Sequence, residues 1–286
     1  MFFEEHAKLL SEFARVSQAA GARADYVQGG GGNTSVKLPG GLMAIKASGF
    51  CLSDIRPDKA YAVLDGADLR NFYLTTEPSE LADVEKEGSA RAKADIRHID
   101  GLADLRPSVE AGFHSILKTF VVHTHSVYAN LAACSTTCRP IAAQAFAGAN
   151  YTWGWVPHTD PGANLTFAIR DELRRVEAET GKAPSVILMQ NHGIIVHDDD
   201  PDTALAIHTD ANERLARMFG LSGTSFPKIA VREIAAGIYA ADVPYLAEQF
   251  RTGGYTQEFL MTQPLYPDQM VFLTDTFYLD QETPVS

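Results

Sequence analysis

The 286-residue chain is short of cysteine, of basic charge and of long apolar runs, and each shortage removes a class of protein. Its three thiols, Cys51, Cys134 and Cys138, cannot all pair, and their placement gives no CxxC zinc pattern. A disulfide scaffold and a cysteine-based zinc site are therefore not expected. Cys134 and Cys138 are one helical turn apart in an alanine-rich stretch, where packing accounts for them. No apolar run approaches the ~18 residues of a membrane-spanning helix, so no membrane partner is expected. The opening Met1-Phe2-Phe3-Glu4-Glu5-His6 carries acids where a secretory leader carries bases, which predicts a cytoplasmic protein. Lys plus Arg number 24 against 36 Asp plus Glu, for a net charge of −12. That balance excludes nonspecific nucleic-acid binding, and an anionic ligand would need a local positive site. Neither a GxGxxG nor a Walker loop occurs, and there is no internal repeat or low-complexity linker.

What is present suits a soluble globular domain: 45% apolar and 21% charged residues, enough to fill a large core. We expect a domain over residues 1–225 and an extension over 226–286 packed on it. Phe2, Leu9, Leu10, Phe13, Val16 and Ala20 lie on one stripe, predicting a helix over 2–20 that Gly21 ends. Glycine loops frame a hairpin with strands at 34–37 and 42–46, turned by Pro39-Gly40-Gly41. Residues 79–98, rich in Ala, Glu, Lys and Arg, predict a solvated helix that only decorates the fold. Further on, helices are predicted at 108–118, 127–134, 164–179, 202–218 and 244–250. Strands are predicted at 120–125, 185–189, 193–196 and 270–273. Such alternation favours a layered α/β core.

His123-Thr124-His125 closes the apolar run Phe120-Val121-Val122, where alternation points both imidazoles to one face. His192, in Gln190-Asn191-His192-Gly193, closes another apolar strand. Three neutral imidazoles suit a catalytic zinc with an open position; nitrogen donors argue against calcium or magnesium, while manganese, iron or cobalt would also be accepted. Taken alone, each histidine also reads as a hydrogen-bonded core or loop residue. Glu110, in Pro107-Ser108-Val109-Glu110, is placed to act as acid/base beside the metal or simply to stabilise a helix first turn. Burial would raise its pKa and a metal would lower it, so sequence leaves the sign open. His114, one turn on, reads as a packing histidine. The run Gly29 to Gly32 with Asn33-Thr34-Ser35 can turn bare amides towards an anion, and Lys46-Ala47-Ser48-Gly49 can add a charge and more donors. A flexible loop and a solvated lysine are the plain alternatives.

The ordered set Gly-Asn-Thr-Ser, Lys-Ala-Ser-Gly, Pro-Ser-x-Glu, His-x-His and Asn-His-Gly resembles the class II aldolase/adducin family over about residues 29–196. Within it, the glycine run with Asn33-Thr34-Ser35-Val36-Lys37, Asp160-Pro161-Gly162 and Pro267-Asp268-Gln269 look most like the rhamnulose-phosphate aldolase-like branch. Members of that branch often carry a dehydrogenase domain behind the aldolase part; here only the aldolase-like portion is expected, without NAD. The resemblance implies a three-layer α/β/α fold with a central, largely antiparallel sheet, and a homotetramer with sites at subunit contacts. It makes His123, His125 and His192 the zinc ligands, Glu110 the acid/base, and Gly32, Asn33, Ser48, Gly49 and Ser108 the phosphate cradle. The implied reaction splits a keto-sugar phosphate through a metal-stabilised enediolate; 4-epimerases and decarboxylases of sugar-acid phosphates share the pattern, whereas a non-catalytic adducin-like module would keep the fold with no need for the triad and Glu110, whose presence speaks against it. Two positions depart from it. Val109 stands where sugar-phosphate aldolases often have a second phosphate-binding serine. His158 stands near a tyrosine position that helps protonate the departing fragment, a task imidazole can also perform.

Overall fold

The computed structural model describes residues 1–221, 230–253 and 257–263. They fall into two compact units, divided after Leu221. The first opens with α1 (Phe2–Glu5) and α2 (Ala7–Gly21), followed by β1 (Asn33–Leu38), β2 (Leu42–Lys46), β3 (Tyr61–Asp65), α3 (Gly66–Thr75), α4 (Val84–Ala94) and β4 (Ile96–Arg97). Next come α5 (Ala111–Ile116), β5 (Phe120–Thr124), α6 (Val127–Ala133), α7 (Cys138–Ala145) and β6 (Trp153–Val156). It closes with α8 (Ala163–Thr180), β7 (Val186–Met189), β8 (Gly193–Asp198) and α9 (Pro201–Met218). The second unit contains a two-stranded antiparallel sheet of β9 (Ala230–Ala235) and β10 (Ile238–Asp242), then α10 (Pro244–Thr252) and α11 (Gln257–Thr262). The strand expected at 270–273 and the motif Pro267-Asp268-Gln269 lie outside the described residues.

Eight strands form one sheet in the order β4-β3-β2-β1-β5-β8-β7-β6. All neighbours are antiparallel except β6 and β7, which are parallel. Alternation along the strands sends Met43, Ile45, Val121 and Ile195 to one face, beneath α3, α5 and α8. Val36, Ala44, Val63 and Val122 face the other way against α2, and Leu188 and Ile194 meet α6, α7 and α9. The result is the expected three-layer α/β/α sandwich with a largely antiparallel sheet.

Several local expectations change in tertiary context. The single helix over 2–20 is interrupted at His6 (φ −106°, ψ 9°), and Gly21 is its last residue, not its stop signal. A Cβ on Gly21 would lie 2.6 Å from the Ser53 backbone nitrogen, so close approach of the neighbouring loop explains the glycine. Cys134 and Cys138 do not share a helix: α6 ends before the first and α7 starts at the second, which is buried. α4 does more than decorate. Both Glu85 carboxylate oxygens accept N–H groups from the start of α8, Ala163 at 2.9 Å and Asn164 at 2.8 Å, and Gly88 lets α8 approach closely.

Candidate metal centre

β5 and β8 lie side by side, with His123 paired to Ile195, so the end of β5 and the turn leading into β8 meet at one edge of the fold. Two glycines make that meeting possible. A Cβ on Gly32 would sit 2.6 Å from the His123 carbonyl, and one on Gly193 would sit 2.4 Å from the Thr124 carbonyl. Gly32 also has a φ of +68°, a left-handed conformation that costs glycine little. Asn191 takes φ +54°, a value asparagine tolerates, and this turns His192 back towards β5. Asn191 and Gly193 of the Asn-His-Gly run therefore each have a conformational reason.

The donor atoms of His123, His125 and His192 all lie within 4.8 Å of one another. His123 Nε2 and His125 Nε2 are 3.1 Å apart, and the three ring centroids are separated by 4.9, 4.9 and 5.1 Å. His123 is fully buried, and its Nδ1 donates to the Ile194 carbonyl at 3.0 Å, leaving Nε2 with a lone pair for an ion. Burial pushes its pKa down to about 3, so the ring is neutral, the state that ligates. His192 is buried with an Nδ1 that has no hydrogen-bond partner among the described residues. Convergent ring nitrogens, with an orphaned one among them, fit a divalent transition metal held by the three.

Glu110 immediately precedes α5 and is also buried. Its Oε1 lies 3.1 Å from His192 Nε2, and its Oε2 lies 3.6 Å from His123 Nε2. Burial pushes its pKa up, but contacts with His123, His192 and His125 prevail and hold the carboxyl well below the usual range. Oε2 accepts from Asn33 Nδ2 at 2.5 Å, whereas Oε1 has no hydrogen-bond partner among the described residues. Oε1, beside His192 and not engaged by Asn33, is thus the oxygen placed to exchange a proton next to the triad.

Behind Asn33 the hydrogen bonds form a directed chain. With Asn33 Nδ2 donating to Glu110 and, at 3.1 Å, to Ser108 Oγ, its Oδ1 must accept from His114 Nε2. Burial keeps His114 neutral, so its Nδ1 accepts from Ser35 Oγ at 2.8 Å. His114 is therefore a satisfied core histidine, as its position suggested, but one that fixes the Asn33 amide. That linkage was missed in the sequence, although Asn33 and Ser35 fall on one strand face and His114 lies one turn from Glu110.

The residues expected to cradle an anion divide into two groups. Gly32, Asn33 and Ser108 belong to the Glu110 environment, with Asn33 and Ser108 bonded to each other. Lys46 is buried and donates to the carbonyls of Gly30 at 3.2 Å and Phe50 at 2.7 Å, joining the glycine loop to the loop after β2. Burial pushes its pKa down, partly countered by Cys51 and Glu110. Ser48 and Gly49 are exposed on that second loop, and Gly49 (φ +88°) faces open space. Val109, at the position of the expected second serine, is 70% exposed. His158 is exposed, its backbone N–H bonded to Gln190 Oε1 at 3.2 Å, and no described side-chain contact joins it to the triad.

A sandwich with a histidine triad at the ends of two central strands and a carboxylate against it describes an α/β domain with a candidate metal site. The family model for the class II aldolase and adducin N-terminal domain matches residues 11–219. The chain belongs to that family. Among solved structures it is similar to the N-terminal class II aldolase domain of a conserved protein from Thermoplasma acidophilum. That match has a TM-score of 0.59 and 20% identity, covering 73% of this chain and 92% of that one. YgbL from Escherichia coli, described as a candidate aldolase/epimerase/decarboxylase, matches with a TM-score of 0.51 and 20% identity over 80% of this chain and 95% of that one. No curated protein matches the sequence. At these identities the structural likeness defines the fold. Among the described residues no helix is long and apolar enough to cross a membrane.

Proposed function

We propose that the protein is a zinc-dependent aldolase cleaving a keto-sugar phosphate of the rhamnulose- or fuculose-phosphate type. The observation that carries this reading is the convergence of His123, His125 and His192 within 4.8 Å, with Glu110 Oε1 3.1 Å from His192. An ion held by the three imidazoles would supply the positive charge that lowers the energy of an enediolate. Glu110 moves the proton through Oε1 while Asn33 holds Oε2. Lys46, with Gly32, Asn33, Ser48, Gly49 and Ser108, is the proposed binding group for the substrate phosphate, and His158 the proposed donor to the leaving fragment. Membership of the family supports this assignment, as does the description of YgbL. The same site suits a 4-epimerase or a sugar-acid phosphate decarboxylase, and Val109, by removing one expected phosphate contact, points to a substrate phosphorylated differently or not at all. A non-catalytic module would have no use for the triad. The cytoplasmic homotetramer, and residues 226–286 as an extension of the aldolase domain, complete the proposal.

The test is metal content of the purified protein and of His123→Ala, together with triose-phosphate release from rhamnulose phosphate and fuculose phosphate. Near one zinc per chain, lost in the variant, with cleavage of either sugar is the expected result. Zinc without cleavage, accompanied by an epimerised or decarboxylated product, moves the assignment to those reactions. No bound or restorable metal overturns it.

A further inference from the structure

The chain carries a net charge of −12, yet one cavity away from the triad is lined by Lys37, Arg70 and Lys118. It has a volume of about 420 Å³ and lies where the β1–β2 turn, the start of α3 and the Leu117–Thr119 segment meet. Lys37 lies on β1 four residues beyond Asn33, on the same strand face, so it is ~13 Å further along the sheet than the Glu110 network. The cavity and the proposed phosphate group at the metal centre share no lining residue.

The charges in this cavity do not cancel. Lys118 is paired with Asp198 at 2.8 Å, and Asp199 is occupied by the Thr119 backbone N–H at 3.1 Å and hydroxyl at 2.6 Å. Lys37 and Arg70 have no carboxylate within ion-pair distance among the described residues. Their donors go to neutral carbonyls at the end of α5: Lys37 Nζ to His114, and Arg70 Nη1 to Ser115 at 3.2 Å and Ile116 at 2.6 Å. Asp198 and Asp199 stand against Lys37, Arg70 and Lys118, so one net positive charge remains, and the helix C-terminus sets only roughly half a negative charge against it. Burial and the nearby guanidinium push the Lys37 pKa well down, only partly countered by Asp199, an opposition that a bound anion would relieve further.

We propose that this cavity is a second anion site, distinct from the metal centre, which binds a small phosphate- or carboxylate-bearing molecule through Lys37 and Arg70. Arg70 offers the forked donors that oxyanions favour and Lys37 a point charge. Leu38, Leu42, Ala67 and Leu117 line the remainder, and the volume exceeds what a bare oxyanion fills, so the ligand has a compact organic body.

The test is titration of the whole protein with inorganic phosphate, and separately with acetate, followed by calorimetry. Parallel measurements use Lys46→Met, which removes the one cation of the proposed phosphate group at the metal end, and Arg70→Gln. A selenate soak of crystals locates the site by anomalous scattering. We expect binding that survives Lys46→Met, weakens about tenfold or more in Arg70→Gln, and places selenate between Lys37 and Arg70. Preference for phosphate over acetate, or the reverse, assigns the ligand class. Arg70 is exposed, so Arg70→Gln should fold even where Lys37→Met does not. Binding abolished by Lys46→Met and untouched by Arg70→Gln overturns the proposal, as does a carboxylate of a neighbouring copy seated in the cavity. Failure of the aldolase assay leaves this result unaffected, because no step of it uses the triad.

Discussion

Asn33 holds the site together because every polar atom of its side chain is used. It donates to Glu110 and Ser108 and accepts from His114, all in a buried setting. Replacing it with leucine of similar size strands a carboxylate oxygen and a ring N–H at once. A buried polar group left unpaired costs about 1–3 kcal/mol, so Asn33→Leu should lower stability by roughly 2–5 kcal/mol in denaturant titration. An unchanged midpoint would show that Asn33 is not buried in this network. The triad histidines could be read from sequence because each ends an apolar run, and strand geometry aims such residues. The roles of Asn33 and His114 could not, because their partners lie 77 and 81 positions away in the chain.

At the scale of elements, α4 and α8 are linked through one carboxylate. The α8 N-terminus begins after Gly162 with no side-chain cap of its own, and Glu85 supplies acceptors to the amides of Ala163 and Asn164. Glu85→Ala should therefore destabilise the first unit by about 1 kcal/mol, the usual worth of a helix cap. Glu85→Gln should recover part of that loss, since an amide oxygen can still accept. Thermal unfolding checks both; equal losses in the two variants would show that charge near the helix end, and not hydrogen bonding, is what matters. The surface reading of residues 79–98 failed here because a polar helix can serve as another helix's cap without burying an apolar face.

For the whole molecule, buried neutral histidines set the acid limit of stability. His197 and His208 are both buried, and burial pushes each pKa down to about 3. The sign follows directly. At neutral pH neither state is charged at these rings; as pH falls below the unfolded value near ~6.5 the unfolded chain takes up protons that the folded chain refuses. Stability is therefore fully present above about pH 6.5 and lost progressively towards pH 3. His197→Leu removes one such group, and between these limits the pH slope of unfolding free energy should shrink by up to ~1.4 kcal/mol per pH unit. Denaturant titrations at pH 7, 5.5 and 4.5 measure it, and an unaltered slope would mean that His197 is protonated in the folded state.

The sequence alone determined the layered α/β class, the hairpin and most helices and strands, and it singled out the three histidines and Glu110 as candidates. These rest on local rules: periodicity of apolar residues, glycine and proline at turns, and alternation along a strand. Tertiary structure decided the rest, because it depends on which surfaces meet. It fixed the direction of the Asn33 and His114 hydrogen bonds, and the reason Gly32 and Gly193 must lack a side chain, namely the β5 carbonyls pressing against them. It also placed Lys37 and Arg70, 33 positions apart in sequence by their numbering, on the wall of one cavity. Local patterning specifies what each segment can become; only the packed fold specifies which charges lose water, and which partners they find.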